Sequence, residues 1–476
     1  MALNSSGPLS FGGSTTGQSI NLELGVSATA TASINSTSFR TLAGVPSGQI
    51  SVSNFYGKSN AIGWIAYIGD STYNATFGYI FESYQQNTDS LGNTYYGFRN
   101  AASSSSPNNY SGLRCINKDA TLLASKNMWS FSGSAFYAAA VPPLQDYGTT
   151  ADVLILSSTS DLAGFPHVST GTDLVYKYTP RTGSGGQSNA NGSYRRAANG
   201  NYWMSGKNSG EQQTVYAWRG SDGVPLYQYI GGYSYTPHPV PRSDSSVIMI
   251  RPGYAGYWID YEFCVAPAAG GSTTNGHSFR VNEPYTASEW AASAGDGTYG
   301  FVAANNGNNG VIARVDPAGG GGFIAKVKNF NIVGQGMACA GGYVYVITET
   351  GVLSAYDTSL NPQWRLTFTF SAGACNLTRI NANSEGIFMR VQRNTAPNNQ
   401  FVLKIPLTGL PTSSSVALTG PSGITFSWTR STFTAGSISA SRVGGFSINY
   451  SAGFGSSTRT SSTADASTYS IVKTNI

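Results

Sequence analysis

Charge is scarce in this sequence: 10% of its 476 residues are Asp, Glu, Lys or Arg, against roughly 25% in an ordinary soluble domain. The 27 basic and 22 acidic residues leave a formal net charge of +5, and no run of Lys or Arg concentrates it. Phosphate backbones are bound by concentrated positive charge, so nucleic acid is not an expected partner. Long apolar runs are missing too. No stretch approaches the ~18 residues of a membrane-spanning helix, and membrane insertion is not expected. Met1 to Pro8 carry neither a basic nor an apolar signal region, so the expectation is a soluble chain that is not exported through a signal peptide. Cysteine is rare: Cys115, Cys264, Cys339 and Cys375 lie far apart, with no Cys-x-x-Cys pair. A disulfide framework or zinc site would cluster them, so four buried free thiols are expected.

Histidine is scarcer still. His167, His238 and His277 each lie beside Pro or Gly in expected loops, and none forms an i, i+2 or i, i+4 pair. A metal would require all three loops to converge, so no metal site is assigned. The sequence has no Gly-x-Ser-x-Gly elbow and no phosphate-cradling loop ending in Gly-Lys-Ser/Thr. Gly319 to Gly322 reads as a turn joining two strands, without the helix N-terminus that nucleotide binding uses. No cofactor is expected. The best carboxylate pair is in Trp258-Ile259-Asp260-Tyr261-Glu262. On a strand, Asp260 and Glu262 share a face about 6.5 Å apart, within the roughly 5–9.5 Å used in glycoside hydrolysis. The same alternation is what any half-exposed strand shows. No catalytic residue is therefore assigned, and the chain is read as not an enzyme.

What the sequence has is sheet material. Gly contributes 58 residues and aromatics 12%, with 29 Tyr, 22 Phe and 8 Trp. Gly, Ser, Thr and Asn are poor helix formers, while aromatic side chains fit the half-buried faces of sheets. One pattern recurs: a short apolar strand, a turn of Gly, Asp, Pro or Asn, then a second apolar strand. It is clearest at Val352 to Leu366, and it returns at Val215 to Tyr229 and Val311 to Val327. Weaker copies begin near Leu113, Leu174, Glu262 and Phe401, giving a mean spacing of about 48 residues. That is the period of propeller blades, each a four-stranded antiparallel sheet.

Shorter apolar pieces, among them Gly63 to Ile68 and Tyr343 to Ile347, precede the hairpins and read as inner strands. The fold class expected is all-β, a seven-bladed β-propeller over 61–420, preferred to stacked β-sandwiches. Residues 1–60 and 421–476 flank it as an N-terminal segment and a short β-rich C-terminal segment that is either separate or completes the first blade. Tyr233, Tyr235, Tyr254, Tyr257 and Trp258 lie in Gly-rich loops and are candidate binding residues for protein or glycan.

In residues 1–60, Ile20, Leu22, Leu24 and Val26 alternate as a strand would. Met1 to Ser10, then Gly17 to Leu24, then Arg40 to Ile50, ending in Asn54-Phe55-Tyr56-Gly57-Lys58-Ser59, form an ordered string. That string resembles the N-terminal stretch of virion structural proteins of tailed phages, particularly those of marine bacteria and cyanobacteria. An acidic residue usually stands in the family where this chain has Asn54. The resemblance covers about an eighth of the chain. It implies an attachment module, marked by Leu3, Ile20, Leu24, Arg40, Leu42, Phe55 and Tyr56, ahead of a variable body. Physically, such a segment can add a strand to a neighbour's sheet edge.

A virion structural protein of tail, fibre or accessory type follows from the resemblance, assembled in the host cytoplasm. Its expected partners are other virion proteins, further copies of itself in the particle and a host surface glycan contacted during host attachment. Two alternatives stand beside it: a host glycan-binding receptor module and a polysaccharide depolymerase.

Overall fold

The computed structural model describes residues 3–4, 6–15, 18–24, 27–31, 33–43, 45, 47–56, 63–70, 86–88, 91–99, 110–129, 153–156, 162–165, 173–178, 195–207, 212–219, 224–231, 237–255, 258–284, 291–306, 309–318, 324–328, 336–348, 350–371, 373–393, 400–421, 423–438, 440–453, 457–465 and 469–476. The chain divides into two compact units, Met1–Ile65 with Thr474–Ile476 and Ala66–Lys473.

The first unit is built on short helices, Ile20–Glu23 and Thr37–Ala43, and a 3-10 turn, Val52–Phe55. The expected strand through Ile20 and Leu24 is corrected: Ile20–Glu23 is helical. Alternation over so few residues also satisfies helical i, i+4 spacing, which puts Ile20 and Leu24 on one face. The Ser19 hydroxyl accepts a hydrogen bond from the Leu22 amide and starts the helix. Ile20 is fully buried and Leu22 is 37% exposed, as one helical face requires and a half-buried strand does not. Leu3, Ile20, Phe39, Leu42, Ala43 and Phe55 form the unit's core, with Leu9, Leu24, Ile34, Val45 and Ile50 packed around it.

The second unit consists of antiparallel meanders. Four chain-consecutive strands make each of the sheets 86–129, 195–230, 238–284, 291–328 and 337–370. Val153–Leu156 and Leu162–Phe165 form a separate pair, followed by strand Asp173–Tyr178. The last sheet has only three consecutive strands, Cys375–Asn383, Gly386–Arg393 and Gln400–Ile405, and is completed by Trp64–Asp70. Gly63 to Ile68 is therefore not the inner strand expected ahead of the first hairpin. The strand at Phe401 likewise has no hairpin partner following it in the chain.

First strands of successive sheets lie side by side, from Arg195–Arg196 through His238–Pro241, Ala291–Gly295, Met337–Ala340 and Cys375–Asn383 to Gln86–Thr88. Sheets that fan out from a shared inner row and close on the first sheet make a β-propeller. Adjacent sheets pack face to face. Val240, Ile248, Ile250, Tyr261 and Phe263 of sheet 238–284 share a core with Val302, Val311, Ala313 and Val315 of sheet 291–328. Strands pressed on both faces lose the alternating pattern: Val247 to Ile250 and Gly386 to Val391 are continuously buried. Each such Val or Ile contributes roughly 1.5–3 kcal/mol through burial.

One turn recurs at the sheet ends. The amides of Ala120, Gly200, Ser245, Gly270, Leu360 and Gly409 each donate to the carbonyl three residues earlier. Ala120, Ser245 and Leu360 hold positive φ there, between 62° and 65°. Asx side chains support these turns, as where Asp357 accepts from the Ser359 and Asn361 amides. Tyrosine hydroxyls then tie one sheet to the next: Tyr229 donates to Gly271 O, Tyr261 to Val311 O and Tyr345 to Leu407 O.

The C-terminal segment adds outer strands to these sheets in reverse order. Thr425–Ser431 pairs with Pro362–Phe370, Gly436–Ile438 with Ile324–Lys328, Ala440–Gly444 with Thr274–Pro284, and Asn449–Ala452 with Pro225–Ile230. Ser457–Asp465 then pairs with both Asp173–Tyr178 and Leu122–Trp129. Tyr469–Asn475 lies beside Trp64–Asp70 at the edge of the last sheet. The fourth strand of the last sheet thus comes from the N-terminal side, while the C-terminal segment returns to the outer edge of the first sheet through Ser457–Asp465 and of the last through Tyr469–Asn475.

Candidate functional site

The carboxylate pair sits on strand Trp258–Ala266, as its alternation predicts. Register places Glu262 opposite Arg251 and Asp260 opposite Arg280 on the flanking strands. Arg251 Nε donates to Glu262 Oε2 at 2.6 Å. Arg280 reaches Asp260 through two hydrogen bonds, Nε to Oδ1 at 2.9 Å and Nη2 to Oδ2 at 3.0 Å. The planar guanidinium fork fits a carboxylate in this two-point way. Asp260 holds the Arg280 guanidinium above the ordinary arginine range. Arg251 also donates to Gly231 O and stacks over Phe446, 4.5 Å from the ring centre.

A general acid must offer its proton where a substrate oxygen can reach it. Both Asp260 oxygens are engaged by Arg280, and Glu262 is tied to Arg251. Chemically the four residues form a cross-strand charge ladder that fixes the register of three strands.

Of the candidate binding residues, Tyr233, Tyr235 and Tyr257 lie outside the described residues. Tyr254 and Trp258 stand at the ends of paired strands Val247–Ala255 and Trp258–Ala266, with Tyr254 opposite Ile259 and Trp258 opposite Ala255. The register therefore brings these two to the same end of one hairpin.

The histidines differ from expectation. His238 opens strand His238–Pro241 and His277 lies within Thr274–Pro284, so neither is in a loop; His167 lies outside the described residues. Prolines around His238 suggested a loop, yet Pro239 and Pro241 fit the innermost strand because its free edge needs no ladder donor. His277 packs against Phe263 and Phe279, which stack on each other. No group of three His, Cys, Asp or Glu positioned to hold a metal occurs among the described residues. All four cysteines are buried free thiols, and burial pushes Cys264 and Cys375 up to about 12.

Composition gave no hint of the cationic groups buried near the inner strands. Arg195 is buried and donates through Nη2 to Ser293 O, two sheets onward. Burial lowers Arg195 to about 10. Burial and then the Arg195 charge lower His238 to about 4, so its imidazole is neutral at ordinary pH. In the last sheet Arg379 and Arg390 face each other in register. Burial lowers Arg379 to about 10; burial and then Arg379 lower Arg390 to about 9. Arg390 Nε donates to Gln400 Oε1 at 2.9 Å. A buried arginine on a strand looks in sequence like a solvated one.

The residues singled out in the N-terminal segment come together in the first unit. Leu3, Ile20, Leu42 and Phe55 are core residues and Leu24 packs against them. Arg40 donates to the carbonyls of Val45 and Gly48 and to Asn35 Oδ1, closing the 40–48 loop. The Tyr56 hydroxyl donates to Gly7 O at 2.7 Å, tying the end of the segment to its beginning.

The class these sheets define is the β-propeller. No protein-family model and no curated protein sequence matches the chain. Among solved structures, BamB from Moraxella catarrhalis is similar at 13% identity and a TM-score of 0.38, covering 67% of this chain and 84% of that one. The β-propeller domain of the Trilobed protease from Pyrococcus furiosus, with its open velcro topology, is similar at 11% identity and a TM-score of 0.42 over 71% of this chain and 93% of that one. The NanB sialidase from Streptococcus pneumoniae is similar at 9% identity and a TM-score of 0.33, covering 72% and 70%.

Proposed function

We propose that this protein is a structural component of a phage particle, a tail appendage, fibre or accessory protein. The first unit anchors it, and the propeller is displayed for contact with other virion proteins or the host surface. The observation that carries this reading is that the residues bearing the phage resemblance, Leu3, Ile20, Leu42 and Phe55, are the ones that make a core of their own. A segment that packs internally can precede different bodies without depending on their sequence, as an attachment module must.

Strand addition to a neighbour's sheet does not suit this segment, because its described residues fold into helices and turns with a single isolated bridge between Ser10 and Ser19. Anchoring would instead use the surface of a folded unit. We read the body as seven-bladed, counting the strands between 153 and 178 as one blade. A non-enzymatic role is supported by the charge ladder, in which Asp260 and Glu262 are held by arginines.

Deleting residues 1–58 is expected to leave a soluble propeller that no longer enters particles. Incorporation at the level of the full chain would overturn the proposal.

A further inference from the structure

We propose that the C-terminal segment from Thr425 to Ile476 is a clasp that holds the propeller closed and covers the outer edges of its sheets. In a four-stranded sheet the outermost strand presents unpaired amides and carbonyls, a template for pairing with another chain. Here Pro362–Phe370, Ile324–Lys328, Thr274–Pro284 and Pro225–Ile230 are each paired on that side by the segment. The covering strands are themselves short and largely exposed: Ala440–Gly444 and Asn449–Ala452 carry almost no buried side chains. The hold of these two strands therefore comes from backbone pairing and from what lies between them, whereas Thr425–Ser431 also buries Phe426 and Trp428, with Phe426 against Phe368 and Phe370.

Between the strands, apolar residues enter the seams where two sheets meet. Phe433 and Ala435 pack on the core shared by sheets 291–328 and 337–370. Ile448 is buried, with Phe446 against it, in the core shared by sheets 195–230 and 238–284. An arginine of the body clamps each phenylalanine: Arg365 lies 4.3 Å over Phe433 and Arg251 4.5 Å over Phe446. Each anchor packs on a core built from two sheets, so separating the sheets opens the core it covers. The segment ends on the strand that completes the last sheet. Tyr469–Asn475 flanks Trp64–Asp70, and Gly63 and Ile476 exchange two backbone hydrogen bonds at 3.2 and 3.0 Å. Trp64–Asp70 is thereby paired on both edges in a five-stranded sheet, with Gln400–Ile405 on its other side.

Two variants and one cleavage test the clasp. Removing 469–476 from the full chain is expected to raise amide hydrogen exchange in Trp64–Asp70 by about tenfold or more while sheet 238–284 stays protected, because only one edge is uncovered. In the full chain with a protease site inserted after Gly423, the cut segment 424–476 is expected to co-elute with the body in native buffer. In mild denaturant it should leave, and the stripped body should then self-associate. Phe433→Ala with Phe446→Ala should lower the denaturant concentration at which the segment leaves, without unfolding the sheets. The proposal fails if exchange in Trp64–Asp70 is unchanged by the truncation, or if the stripped body stays monomeric with its exchange pattern intact.

Discussion

At the scale of single residues, His238 links the inner row of strands to pH. Its imidazole is pushed down to about 4 by burial and by the charge of Arg195, whereas the unfolded chain takes up the same proton near pH 6.5. Between those values the unfolded state binds more protons, so stability falls as pH falls. The contribution is fully present above about pH 6.5 and lost by about pH 4, on the order of 3 kcal/mol at 1.36 kcal/mol per pH unit. Urea unfolding of the wild type and of His238→Gln, compared from pH 7 to pH 4, should therefore show two curves that converge or cross. Parallel curves would refute the assignment. The sequence hides the strand position of this residue because a Pro-His-Pro string marks a loop in most settings. Only placement on an edge strand makes it compatible with a sheet. Asp260 and Glu262 were legible as a pair on one face, but their arginine partners, 20 and 11 residues away, follow from register, which the strand pattern alone does not print.

At the scale of elements, Gly276 shows how closely the C-terminal segment is laid on the body. A Cβ placed there would stand 1.5 Å from the carbonyl oxygen of Phe446, closer than any non-bonded contact. Gly276→Ala is expected to lift residues 445–448 off the sheet, seen as faster proteolysis between 436 and 452. The propeller strands should retain their protection. A proteolysis pattern identical to wild type would show that the crossing is looser than described.

The hairpins at Val352 and Val311 were readable because their apolar residues are consecutive and their turns carry Asp, Asn, Pro and Gly. The outer strands were not: Ala440–Gly444 and Asn449–Ala452 face solvent, so no apolar pattern marks their partners. Trp64–Asp70 has a clear strand pattern, but a strand's sequence does not say which edge it joins. Ile20–Glu23 is ambiguous in sequence because two apolar residues four apart, with a third between them, fit either period.

At the scale of the whole molecule, the division into two units predicts separable stability. Phe55 is fully buried in the small core of the first unit, and a buried Phe→Ala change costs about 3–5 kcal/mol. A unit of that size has little stability beyond this amount. Phe55→Ala should therefore abolish an early calorimetric transition and leave the later transition of the propeller within a degree or two. A single transition that shifts as one would contradict the division.

The all-β propeller was legible from composition and from the spacing of the hairpins. The order in which its sheets are finished was not, because pairing between distant segments leaves no local trace. That order also fixes a timetable for synthesis. Trp64–Asp70 is made early, yet its partner Gln400–Ile405 follows about 330 residues later. At ~5–20 residues per second the wait is tens of seconds. Throughout that time a nascent chain exposes the strand Trp-Ile-Ala-Tyr-Ile with no edge to join, and the segment that covers the remaining edges emerges later still. Ribosome-bound chains of this protein are therefore expected to need that strand shielded until residues 400–405 and 425–476 have been released.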